Sequence, residues 1–113
     1  MDEHSNIDID IVERDGVVVV VVQGEVDLYV APKFEESLAR AGASQAPSIV
    51  VDLDRVDFMD SAGVHVLLQF WNSCRIGTQL ALTPGSPQVR RLLEVTGVRR
   101  YLPLAPSPGL QPG

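Results

Sequence analysis

A chain of 113 residues, 45% of them hydrophobic, with a net charge of −6, has the length and apolar content of one folded domain around a single core. The acidic balance argues against a nucleic-acid partner, and no apolar run approaches the ~20 residues that span a bilayer. The single cysteine, Cys74, permits neither an internal disulfide nor a cysteine-based metal site.

The N-terminal segment MDEHSNIDID is acidic where a secretory signal would be basic, so the expected location is the cytoplasm. From Asn6 to Val12 apolar and acidic residues alternate, the period of a half-buried strand. Asp15-Gly16 then separates two apolar runs, a strong hairpin signal. Val17 to Val22 is unbroken and β-branched, which predicts a strand covered on both faces and ended by Gln23-Gly24-Glu25-Val26-Asp27. A helix is expected from about Pro32, with Phe34, Leu38 and Ala41 forming its apolar stripe. Residues 42–47 read as a loop and Ile49–Leu53 as a central strand.

A second helix is expected from Ser61 to Arg75. Val64, Leu67, Leu68 and Trp71 make one face, Val66 and Phe70 widen it, and His65, Gln69 and Asn72 form the polar stripe. Gln79–Thr83 reads as a short strand. Pro84-Gly85-Ser86-Pro87 reads as turn, N-cap and first helical residue, opening a third helix lined by Val89, Leu92, Leu93 and Thr96 and stopped by Gly97. Val98–Leu102 adds an optional last strand. The order β-β-α-β-α-β-α predicts an α/β fold: a mixed four- to five-stranded sheet, antiparallel at the hairpin and parallel at the crossovers, with helices packed on it. Residues 1–102 form the domain, and 103–113 (PLAPSPGLQPG) read as a disordered tail.

Charge is unevenly spread. Residues 1–60 hold fourteen acids against four bases, and residues 61–113 one acid against five arginines. The two halves are either differently solvated faces or a polar surface that steers a partner.

Four chemistries compete for the polar residues of the chain. VVDLDRV at 50–56 has the Asp-x-Asp-x-Val form of a phosphotransferase nucleophile, Asp52 attacking phosphorus and Asp54 serving as acid and base. That chemistry needs a magnesium held by a later acidic pair and a lysine for the phosphate, yet no aspartate or lysine follows Asp60. The aspartates therefore read as the end of a buried strand and its solvated loop. Ser61 and His65 are one helical turn apart, but no third group orients the histidine. His4 and His65 have no co-ligands, so no metal and no cofactor are expected. A nucleotide at the Ser61 helix end lacks a glycine-rich phosphate loop.

Ser61 itself is the sharpest feature. Asp60-Ser61-Ala62-Gly63 opens an apolar helix, so backbone N–H groups and the helix dipole favour negative charge there. Either Asp60 or Ser61 could simply cap the helix. The small residues Ala62 and Gly63 leave the hydroxyl sterically open, and the apolar connection Val56, Phe58 and Met59 is expected to press the loop onto the body.

Taken together, Gly24-Glu25-Val26-Asp27 followed by Ala31-Pro32, Val50-Val51-Asp52-Leu53, Phe58-Met59-Asp60-Ser61-Ala62-Gly63 with Val64 to Leu68, and Pro87 through Val89-Arg90-Arg91-Leu92-Leu93 to Thr96-Gly97-Val98 resemble the STAS-domain anti-sigma factor antagonists over Ile7 to Leu102. The resemblance implies a STAS-like fold and a non-enzymatic role in partner switching. Unphosphorylated antagonist would bind an anti-sigma factor that is also a serine kinase and so free a sigma factor. Phosphorylation of Ser61 would end the complex, and a phosphatase would reverse it. The implied partner face comprises Asp27, Asp60, Ser61, Ala62, Gly63 and His65. The alternative is a STAS module that is never phosphorylated, a constitutive scaffold or a ligand-responsive protein-interaction module, in which Ser61 is only a cap. The exposed edges of so small a sheet leave room for a homodimer. Two positions depart from the pattern: Val30 stands where many relatives cap the first helix with Ser or Thr, and Ala62 removes a second hydroxyl.

Overall fold

Asp15 and Gly16 both take positive φ, 54° and 81°. This is the backbone of a two-residue hairpin turn whose twist matches the strands it joins. It closes β1 (Ile7–Arg14) on β2 (Val17–Val26) in antiparallel register. The computed structural model describes residues 7–105. β3 (Ser48–Met59) lies parallel to β2 and β4 (Gln79–Leu82) parallel to β3, so the sheet order is β1-β2-β3-β4. Each parallel pair needs a crossover, supplied by α1 (Ala31–Ala43) and α2 (Ser61–Ser73); α3 (Pro87–Val95) and a 3₁₀ turn (Val98–Arg100) follow. The expected β-β-α-β-α-β-α order is the observed one.

The core joins alternate valines of β2 (Val18, Val20, Val22) to Ile49, Val51 and Leu53 of β3, to the α1 stripe Phe34, Leu38 and Ala41, and to Leu67 of α2. The intervening Val17, Val19 and Val21 are only partly covered, so β2 is fully buried on one face, not on both. On its second face Val12, Val19 and Val50 stand in register, and such cross-strand neighbours half-cover one another. On α2 the buried line is Gly63, Val64, Val66, Leu67 and Phe70, while Leu68 and Trp71 flank it.

β3 is more than twice its expected length. It stays paired with β2 to the end, through register irregularities between Val21 and Gln23 and between Gly24 and Glu25. Asp52 and Asp54 therefore lie within a strand and not in a solvated loop. Asp52 Oδ1 accepts from the Asp54 N–H (3.0 Å) and the Thr83 hydroxyl (3.3 Å), Thr83 Oγ1 accepts from the Leu53 N–H (2.8 Å), and Asp54 Oδ1 accepts from the Gly85 N–H (3.0 Å). The two carboxylates tie the β4–α3 connection to the central strand. Val56 and Met59 are buried in the same strand, but Phe58 is exposed and does not press on the body.

β4 pairs only with residues 48–51, so the later edge of β3 needs another partner. Gln88 of α3 supplies it, its Oε1 accepting from the Met59 N–H (2.9 Å) and its Nε2 donating to the Met59 carbonyl (2.8 Å). One side-chain amide thus imitates a neighbouring strand two residues before Ser61. Residues 98–102 do not form the expected strand. Gly97 turns the chain at φ 78° into the 3₁₀ turn, burying Val98 and Leu102. Strand-like pairing comes one step later: the Leu82 N–H donates to the Pro103 carbonyl (2.9 Å) and the Ala105 N–H to the Leu82 carbonyl (2.7 Å). The first three residues of the expected tail are therefore docked on β4, while 106–113, like His4, lie outside the described residues.

Candidate functional site

The site is built where β2 and β3 end. The Asp60 N–H donates to the Val26 carbonyl (3.1 Å), prolonging the β2–β3 contact by one residue, and α2 starts at once. Asp60 is the cap: its Oδ1 accepts from the Ala62 N–H (2.9 Å) and its carbonyl from the Gly63 N–H (3.1 Å). Ser61 is therefore the first helical residue. It is exposed, and among the described residues its hydroxyl has no hydrogen-bond partner.

Gly63 is needed for a reason unrelated to access. It is buried, and a Cβ there would come within 2.7 Å of Met59 Cγ and 3.0 Å of Val26 Cγ1. Glycine lets the first turn of α2 sit against the strand ends, so this residue faces inward and does not open the hydroxyl to a partner.

Asp27 also has a local task. Its Oδ1 accepts from the N–H groups of Tyr29 (3.0 Å) and Val30 (3.2 Å), a turn in which a carboxylate mimics a backbone acceptor. α1 then starts without a side-chain cap at Val30, with Pro32 in its first turn and the Phe34 N–H reaching the Val30 carbonyl (3.0 Å). The support missing at Val30 is supplied from three residues upstream, by the same residue implied for the partner face.

The Asp27 turn throws Leu28 and Tyr29 outward, 73% and 79% exposed. Beside them a groove of about 700 Å³ runs between the starts of α1 and α2, lined among others by Leu28, Pro32, Glu35, Ser61, His65 and Gln69. Of the six residues expected at the partner face, Asp60, Ser61, Ala62 and His65 line this groove; Asp27 and Gly63 do not. Leu28 and Tyr29 fall between the end of β2 and Pro32, in no periodic element, so sequence periodicity does not point to them. Two large apolar residues in a turn were the available signal.

Ser61 and His65 share the groove, but His65 is exposed and among the described residues no hydrogen bond orients it as a base. Cys74, at the far end of α2, is partly covered, and burial pushes its thiol above the usual value, away from nucleophilic use. Among the described residues no group of three or more His, Cys, Asp or Glu side chains could hold a metal ion, and no helix is long and apolar enough to cross a membrane.

What this arrangement offers is a groove with an exposed serine hydroxyl on its wall. A sequence profile of the STAS domain matches residues 8–109. An anti-sigma-B factor antagonist of Listeria monocytogenes is 37% identical over 95 residues, which cover 82% of this chain and 83% of that protein. The crystal structure of an anti-sigma factor antagonist from Mycobacterium paratuberculosis superposes with a TM-score of 0.86 at 31% identity, covering 91% of this chain and 88% of that one. The anti-sigma factor antagonist SpoIIAA, 24% identical with a TM-score of 0.70 over 88% of this chain and 87% of its own, bears on the fold alone. The chain belongs to the STAS-domain family of anti-sigma factor antagonists, regulatory binding proteins whose implied partner is an anti-sigma factor.

Proposed function

We propose that this protein is an antagonist switched by phosphorylation of Ser61. With Ser61 unmodified it docks in the cytoplasm on an anti-sigma factor that is also a serine kinase, and a sigma factor is released. Transfer of phosphate to Ser61 ends the complex, and a phosphatase resets it. The protein itself catalyses nothing in this cycle. One observation carries the reading: Asp60 does the capping, so Ser61 is exposed and its hydroxyl has no structural duty.

Leu28 suits the role of an anchor, being large, exposed and on the groove that Ser61 lines, and Tyr29, its exposed neighbour in the turn, extends that surface. A phosphate adds about −1.5 to −2 charge. The α2 N-terminus has limited capacity to absorb it, because Asp60 already takes the N–H groups of Ala62 and Gly63. The Asp60 carboxylate also stands next in the chain. The effect is therefore repulsion and bulk at the docking face, with little refolding. Within a desolvated interface an unpaired charge costs several kcal/mol.

The test is titration of the anti-sigma kinase from the same cells with Ser61→Ala and Ser61→Asp. Ala should bind within about threefold of the unmodified protein, and Asp about a hundredfold more weakly, ~2.7 kcal/mol. Equal affinities for the two variants would sink the proposal.

A further inference from the structure

β1 is the outer strand of the sheet, and among the described residues no strand pairs with its far edge, where only Lys33 Nζ reaches over to donate to the Ile7 carbonyl (3.3 Å). Proteins usually blunt such an edge with a proline, a bulge, a very short strand or charged side chains. β1 has only the last, in Asp8, Asp10, Glu13 and Arg14: it is eight residues long, contains no proline, and pairs with β2 without a register shift from Ile7 to Arg14. Ile11 and Val12 lie on it 36% and 46% exposed. The two-residue turn makes Arg14 and Val17 a hydrogen-bonded pair. Asp8, Asp10 and Val12 accordingly bond to β2, while Ile9, Ile11 and Glu13 direct their N–H and C=O groups outward.

From this pattern we infer that β1 pairs antiparallel with β1 of a second copy, about a two-fold axis at Ile11. That register sets Ile11 opposite Ile11 of the second copy, Ile9 opposite Glu13, Asp10 opposite Val12 and Asp8 opposite Arg14. The outward groups of Ile9, Ile11 and Glu13 meet their counterparts in hydrogen-bonded pairs. Asp8 and Arg14, both exposed, meet twice, at the closer spacing of the non-bonded pairs. No two acids stand directly opposed.

The neighbouring registers that keep the same faces together are worse. An axis at Asp10 opposes Asp10 to itself and leaves Arg14 without an acid. An axis at Val12 shortens the overlap and removes a pair of backbone bonds. In the joined sheet the two Ser61 surfaces lie at opposite ends, so the dimer is bivalent for its partner.

Light scattering and sedimentation of the full chain, from micromolar to millimolar concentration, should show the mass rising from that of one chain to that of two. Arg14→Asp should weaken the dimer about tenfold or more, through two lost pairs and two new repulsions. Arg90→Asp, the same charge change on exposed α3, should leave it intact. The double variant Asp8→Arg/Arg14→Asp should restore it, as only the Ile11 register pairs these two positions. In a Cys74→Ser background, Ile11→Cys should oxidise to a covalent dimer, since paired Cα atoms ~5.5 Å apart fit a disulfide. Val12→Cys should not. Single-chain mass at every concentration, or a dimer indifferent to Arg14→Asp, would overturn the inference. So would a double variant that stays monomeric while its circular dichroism and melting match the unmodified protein.

Discussion

Two helices of this protein have a serine at their start, one as first helical residue and one as N-cap, and the two end up differently placed. At α2 the preceding Asp60 supplies the cap, and Ser61, one residue on, is exposed. At α3 Ser86 occupies the N-cap position itself, followed by Pro87 at the first helical position, yet its hydroxyl makes no cap bond and is buried without a partner among the described residues. The Arg90 N–H bonds to the Ser86 carbonyl instead (2.8 Å). A serine at a helix start is thus neither a cap nor an acceptor by virtue of its position. Whether a neighbouring carboxylate has taken the first amides, and which way the chain enters, decides between them. Neither hydroxyl caps its helix, but only that of Ser61 lies on the surface, where the proposed kinase would need it.

That contrast can be sharpened from the strongest effect downward. Gly63→Ala forces a Cβ onto Met59 and Val26 at the foot of α2, and overpacking of that kind costs about 1–3 kcal/mol; urea denaturation should show a lowered midpoint. Leu28→Ala should leave the melting temperature unchanged, as the side chain is exposed, while weakening the anti-sigma partner about tenfold, the ordinary scale for an interface anchor. Asp60→Ala removes the bond to the Ala62 N–H and should cost ~1 kcal/mol of stability. Ser86→Ala should change stability by less than about 0.5 kcal/mol, or raise it, because it deletes a buried hydroxyl that bonds to nothing. If Ser86→Ala proved as costly as Asp60→Ala, the distinction between the two helix starts would fail.

Much of the fold could be read from the sequence because its signals are local. Asp15-Gly16 specifies the hairpin within two residues, and Phe34, Leu38 and Ala41 mark the buried side of α1 by spacing alone. The errors fall where a residue's partner is remote. Asp52 and Asp54 read as the end of a strand, because the Thr83 and Gly85 groups they bind are 31 residues away. Nothing near Met59 indicates that Gln88, 29 residues on, will pair with its main chain and hold the end of β3 in place. At the site, the Asp60-Ser61 pair was visible but the allocation of the cap was not, since either side chain can serve. Gly63 looked like open space and is instead a packing requirement. Leu28 and Tyr29 were invisible as a surface until the turn around Asp27 gave them a direction.

Intact-mass and peptide mass spectrometry on protein recovered from its own cells, resting and stressed, would show whether Ser61 is the modified residue. One phosphate is expected, on Ser61 and never on Ser86, with an occupancy that changes with condition. An unmodified Ser61 in every condition, with phosphatases inhibited, would contradict the proposal and leave a constitutive scaffold in its place.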